Sequence, residues 1–240
     1  MEDVKMDKLI ELLKTHIHNR NAEKALSLIQ NHPEVINLED ENGSSGLMLL
    51  AYSGFKDAFT EAVLLKTSFS FHEAIVCGKK EIVEQFLEQS ESDWPNTHSK
   101  DGFVPLSLAA FFDQTDIALL LLDNGADPNL AATNPTKVNA LHSAVAKENY
   151  KLCKILLEKG ANVNASQMQN VTALHSAVHR GNLELTKLLI ENGANPSLIM
   201  DNGDTVLIIA NREGHGLVEA YLLEHQNRCY FRIGDLPEKR

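Results

Sequence analysis

Apolar positions along this chain fall in short helical stripes that recur at a fixed step. In residues 171–195, Ala173, Leu174, Ala177 and Val178 lie on one helical face, and Thr172 stands before them as a cap. Arg180-Gly181-Asn182 interrupts the stripe. A second one follows with Leu183, Leu185, Leu188, Leu189 and Ile190, and Gly193 closes it. Asn195-Pro196 and Asp201-Asn202-Gly203 are turn chemistry. The pattern predicts two short helices and a loop leading to the next pair.

The phrase TALHSAVHRGNLELTKLLIENGAN at 172–195 has a near copy, NALHSAVAKENYKLCKILLEKGAN, at 139–162. Leu141, Leu174 and Leu207 are 33 residues apart, while Phe71, Leu106 and Leu141 are 35 apart. The extra residues after Leu106 fall in a loop, so the segment Ala131 to Lys137, with Asn134-Pro135, is expected to lengthen one projection or to serve as a contacting finger. Helices of about ten residues are marginal alone. Their stripes must be buried against adjoining copies, at roughly 25 cal/mol per Å² of apolar area. The core is therefore linear, and stability sums over neighbouring pairs.

T-A-L-H-S-A, R-G-N, L-L-I-E-N-G-A-N and D-N-G-D-T, with DGFVPLSLAAFFDQTDIALLLLDNGADPN at 101–129, resemble the ankyrin repeat over about residues 70–225. The resemblance implies an all-α solenoid of about seven stacked helix–turn–helix units, with capping end units, short β-hairpin or loop projections to one side, and a concave groove. The expected units span 6–38, 39–66, 67–100, 101–137, 138–170, 171–202 and 203–226, in one array over 1–230. The second is short, since only 24 residues separate Leu47 from Phe71. No hairpin is expected between units two and three, and the stacking is expected to break there. The tail 227–240 is not a repeat; Cys229, Tyr230, Phe231 and Ile233 are expected to pack on the last helix, and 235–240 to fray.

Charge and cysteines narrow the function. The 22 Lys and Arg against 33 Asp and Glu give a net charge of −11, which disfavours nucleic acid and anionic membranes as partners. Cys77, Cys153 and Cys229 are odd in number and widely spaced, which fits free thiols in a reducing compartment. The N-terminus lacks the apolar run of a secretory signal, and no stretch approaches 18 apolar residues. The expected location is the cytoplasm, with the nucleus as the alternative in a eukaryote.

Histidines supply the chemical candidates. His175 and His179 are four apart, but no Glu follows His175, so the H-E-x-x-H zinc motif is absent. The resemblance instead makes His72, His142 and His175 structural, each bonded to backbone of the neighbouring loop. The serines after two of them, Ser143 and Ser176, point about 100° away on a helix and do not form a nucleophile–base pair. No phosphate loop or nucleophile elbow occurs. The reading is non-enzymatic, without cofactor or metal.

The residues singled out for partner contact are Tyr52, Trp94, Phe111, Phe112, His179 and Arg180. Trp94 sits in a loop where it either covers helix ends or anchors an interface. The groove-facing row is aromatic and apolar early (Tyr52, Val76, Phe111, Phe112) and polar to basic later (Lys147, His179, Arg180, Arg212), which fits a protein-binding groove. Glu81, Glu84, Glu88 and Glu91 line one face, either as a solvated surface or as a docking patch for a basic partner. The expected function is rigid presentation of side chains to another protein by a scaffold monomeric on its own. The alternative is an accessory or inhibitory subunit acting on an enzyme through the same surface.

Overall fold

The computed structural model describes the backbone of residues 2–89 and 93–234 and side chains of 7–89 and 93–226. The described residues form seven consecutive helix pairs: α1 (Glu2–His18) with α2 (Ala22–Asn31), α3 (Gly46–Ser53) with α4 (Lys56–Leu65), α5 (Phe71–Val76) with α6 (Lys80–Leu87), α7 (Pro105–Phe111) with α8 (Thr115–Asp123), α9 (Ala140–Ala146) with α10 (Tyr150–Glu158), α11 (Ala173–His179) with α12 (Leu183–Glu191), and α13 (Val206–Arg212) with α14 (Gly216–Gly234). The expected all-α repeat fold is thus present. The contacts divide the chain into two compact units, residues 1–126 and 127–240.

In the first unit the leading helices stack in the order α1, α3, α5, α7. Among the second helices, α2 packs extensively on α4 and α6 packs on α8, but α4 makes little contact with α6. The break in stacking expected after the second pair is absent from the leading helices, where α3 packs on α5, and only the second-helix row is interrupted, between α4 and α6. The core of the first two pairs is formed by Leu13, Ala25, Ile29, Val35, Leu47, Leu50, Ala58 and Ala62, all essentially inaccessible to solvent. In the second unit α9, α11 and α13 stack, as do α10, α12 and α14. Here Leu141, Leu152, Leu156, Leu174, Leu189 and Val206 are buried.

Helix starts follow the capping chemistry. Asn139 and Thr172 each accept from the backbone N–H three residues on, as Ser45 and Ser70 do in the first unit. Between pairs the chain projects as fingers, each closed by the same bond: Asp40 N–H to the Ser44 carbonyl, Ser99 to Phe103, Gln167 to Val171, and Met200 to Asp204. The corresponding bond from Ala132 runs to Val138, two residues further, so the extra length does sit in that finger. After α4 the chain reaches α5 through residues 66–70 with no finger, as the short spacing implies. α14 continues through Gly234, so the backbone of 227–234 prolongs the last helix. The side chains expected to pack there, Cys229, Tyr230, Phe231 and Ile233, lie outside the described residues, as do Glu91 and the end at 235–240.

Candidate functional site

The repeat histidines are fasteners. His142 Nε2–H donates to the Ala165 carbonyl at 3.0 Å and His175 Nε2–H to Leu198 at 3.1 Å, while each Nδ1 accepts from the backbone N–H of the cap residue, Asn139 or Thr172. Both ring nitrogens are thus engaged. Burial pushes the His142 imidazole down to about 4, only partly offset by the Ala165 carbonyl, and it lowers His175 as well. His72 makes the same bond to the Thr97 carbonyl, at 2.7 Å. Its helix differs at the cap, where Glu73 takes the reciprocal role with Ser70. A second fastener is an asparagine bridge at the base of the fingers: Asn96 reaches the Gly125 carbonyl, Asn129 that of Gly160, and Asn164 that of Gly193.

The missing finger in the first unit has a large effect. With nothing projecting at 66–70, the finger before α3 meets the finger before α7. Lys100 Nζ sits 2.7 Å from both carboxylate oxygens of Glu39, and Ser44 Oγ donates to Asp101 at 2.9 Å. Asp101 also accepts from Tyr52 OH at 3.0 Å and from Ser99. The rings follow: Tyr52 lies 5.7 Å from Phe103 and 6.0 Å from Phe112. Packed helices lie about 8–10 Å apart, so an even stack would hold α3 and α7 about twice that distance apart, with α5 between. The Tyr52 and Phe112 rings therefore reach towards each other past the end of α5. That helix is six residues long and offers only Val76 and Cys77 at the corresponding positions, which leaves room for the rings to meet.

Beneath this clasp is a polar cleft of about 340 Å³. Its floor holds an ion pair between Lys66 and Glu73 at 2.7 Å, with side chains only 5% and 8% exposed. Burial pushes the Glu73 carboxyl up, but hydrogen bonds from Lys66, Ser45 and the Ser70 N–H hold it below its ordinary value. Lys66 also donates to Asn37. Lys66 Nζ and both carboxylate oxygens of Glu73 thus have partners within the fold.

The six residues singled out from the sequence separate into two groups. Tyr52 and Phe112 are half-buried and occupied by the aromatic contact; burial and the Asp101 charge raise the Tyr52 phenol well above its usual range. Trp94 packs on Phe71 at 5.2 Å and Phe86 at 5.0 Å, covering the ends of α5 and α6, with its indole N–H buried. Phe111, by contrast, is 42% exposed and leans edge-on against Phe112 at 5.3 Å. In the second unit His179 and Arg180 are exposed: His179 is 3.8 Å from Glu213, and Arg180 is 3.9 Å from Glu148. His215 donates to the His179 carbonyl and packs against Gly181, where a Cβ would stand 2.6 Å from its ring. Lys147, Arg212 and Glu213 continue this polar row.

Among the described residues, no group of three or more His, Cys, Asp or Glu is placed to hold a metal ion, and no helix is long and apolar enough to cross a membrane. Cys77 and Cys153 are free, and burial pushes both thiols up to about 12.

A sequence model described as "Ankyrin repeats (3 copies)" matches residues 13–132, 71–167 and 141–232, most of the chain. The chain belongs to the ankyrin-repeat family. It is similar to the human Ankyrin repeat and KH domain-containing protein 1, 31% identical over 87 residues that make up 36% of this chain and 3% of that protein. It is also similar to the Putative ankyrin repeat protein FPV014 of fowlpox virus, 28% identical over 131 residues, 53% of this chain and 28% of that protein. Mouse Ankyrin repeat domain-containing protein 17 is 36% identical over 66 residues, 28% of this chain and 2% of that protein. The chain thus spans under a third of each relative. Ankyrin repeats are general protein–protein interaction modules, and the family is generally non-enzymatic.

Against the regular ankyrin repeat, the departure is concentrated at the second pair. The finger clasp and the Lys66–Glu73 pair were not readable from side-chain pattern. Their only sequence signal is the 24-residue step from Leu47 to Phe71, too short to include a finger.

Proposed function

We propose that this ankyrin-repeat chain is a protein-binding module that presents preformed side chains on its repeat scaffold. Phe111 carries the reading. It is a large aromatic ring left 42% exposed at the end of a row of rings otherwise packed together. Exposed aromatics on a rigid support are efficient anchors, since little side-chain entropy is lost on binding. In the second unit, exposed His179 and Arg180 and the finger tips offer a polar contact surface of the kind found at interface rims.

Affinity purification of the full chain, with mass spectrometry of the bound proteins, tests this when run beside Phe111→Ala and His179→Ala/Arg180→Ala. A specific partner should be depleted at least tenfold by one of these variants, with helical content and melting temperature retained. Equal recovery on wild type and both variants would remove these surfaces from the reading.

A further inference from the structure

In the second unit each helix pair but the last has its forward face covered by the pair that follows. On the α11–α12 pair, His175, Val178, Thr186 and Ile190 are buried, and α13 and α14 pack against it. One 33-residue step later stand Ile208, Asn211, Glu219 and Leu223. There the two apolar side chains meet water, Ile208 at 48% and Leu223 at 46% exposure, while Asn211 donates to Glu219 at 3.1 Å. The turn glycines agree. His215 packs against Gly181, whereas a Cβ on Gly214, one step on, would meet nothing within 4 Å.

Ile208 occupies the position of the repeat histidine. His142 and His175 reach a carbonyl of the next finger from that position, Ala165 and Leu198. Among the described residues no finger follows the last pair: α10 and α12 stop after nine residues, but α14 runs on through Gly234. The fold thus places an isoleucine where the fastener has no loop to hold, on a face of the same kind that joins the preceding pairs.

Charge narrows what can cover this face. Residues 127–240 contain 12 Lys and Arg against 12 Asp and Glu, whereas residues 1–126 contain 10 against 21. The net charge of −11 therefore belongs to the first unit. Like charge opposes a contact between two first units, and a contact between two second units escapes that repulsion.

We propose that the forward face of α13 and α14 is an interface with a second copy of this chain, formed about a two-fold axis. In such an interface the same patch serves both sides. Ile208 and Leu223 of each copy are then covered by the other, as the next pair covers His175 and Ile190. A head-to-tail joint fits less well. Among the described residues α1 exposes Asp7, Lys8, Glu11, Thr15 and His18 and one apolar side chain, Leu12, so that joint would set apolar side chains against charged ones. The inference goes beyond the protein-binding reading and does not rest on it. It replaces the monomer expected from the sequence.

Sedimentation velocity of the full chain, loaded at about 1 to 100 µM, tests it. The sedimentation coefficient should rise with concentration from monomer to dimer. Ile208→Lys/Leu223→Lys should raise the dissociation constant at least tenfold. Both side chains are already half in water, so circular dichroism of the dilute variant should match the wild type. Ile208→His, which restores the residue of the preceding repeats, is the milder variant and should shift the constant in the same direction. Phe111→Ala should leave the dimer intact, and so should a rise in salt from about 50 to 300 mM, because the contact is apolar. A wild-type chain that stays monomeric throughout would overturn the inference. So would a dimer that ignores both substitutions at Ile208, one that Phe111→Ala dissociates, or one lost in the higher salt.

Discussion

Lys100 holds both carboxylate oxygens of Glu39 at 2.7 Å across 61 residues of sequence and two whole helix pairs. The ion pair is the visible part of this clasp, but it is not the strong part. Its side chains are 68% and 44% exposed, and exposed pairs contribute about 0–1 kcal/mol. Asp101 accepts from Ser44, Tyr52 and Ser99 in partly buried surroundings. Lys100→Met should therefore cost under about 1 kcal/mol in urea unfolding, and Asp101→Ala about 1–3 kcal/mol. The reverse order would show that the clasp is held by charge.

The floor of the cleft should behave differently. Lys66→Met leaves the Glu73 carboxylate in a site where only 8% of its side chain meets solvent. A buried charge stripped of its partner costs roughly 3–5 kcal/mol. Lys66→Met/Glu73→Gln should recover most of that loss, because no charge remains. A double variant no more stable than Lys66→Met, measured by the same unfolding, would mean that the pair stabilises by packing alone.

Gly46 opens α3 against the preceding chain, and a methyl group there would stand 2.2 Å from the Val35 carbonyl oxygen. The obstacle is backbone and cannot rotate away. Gly46→Ala should destabilise by about 1–3 kcal/mol or more. Gly216, at the start of α14, has open space around the corresponding position. Gly216→Ala should be neutral or stabilising by up to about 1 kcal/mol. Paired thermal melts read the contrast directly.

His142 predicts a pH dependence. Folding lowers its pKa from an ordinary 6.5 to about 4, chiefly through burial. Between those values the unfolded chain takes up a proton and the folded chain does not, so stability falls as pH drops from about 6.5 towards 4 and levels off below. The full effect is on the order of 3 kcal/mol. Unfolding midpoints measured from pH 7 to pH 5 should decline in the wild type and decline less in His142→Gln. The comparison stays above the range where Glu73 protonates, since that carboxyl is held below its ordinary value.

The regular repeats were legible because each carries its own instructions. Thr172, Leu174, His175 and Gly193 specify a cap, a core contact, a fastener and a helix end, all read within one period. The spacing also located the missing finger and the two extra residues before Val138. It did not reveal what fills the gap. Glu39 and Lys100, or Tyr52 and Phe112, meet only because intervening backbone is absent, and no local pattern encodes a contact between units that a regular array keeps apart. For the same reason Tyr52 read as a groove residue and is instead half-buried against Asp101 and two rings.

The contact between rings across α5 changes how the first unit comes apart. A regular solenoid frays from its ends, one module at a time, because each touches only its neighbours. Where α3 and α7 are tied through Tyr52, Phe112 and Asp101, neither can detach without releasing the other, and α5 is trapped between them. Amide protons of these three helices should exchange together as one cooperative block, with α1 and α2 opening separately.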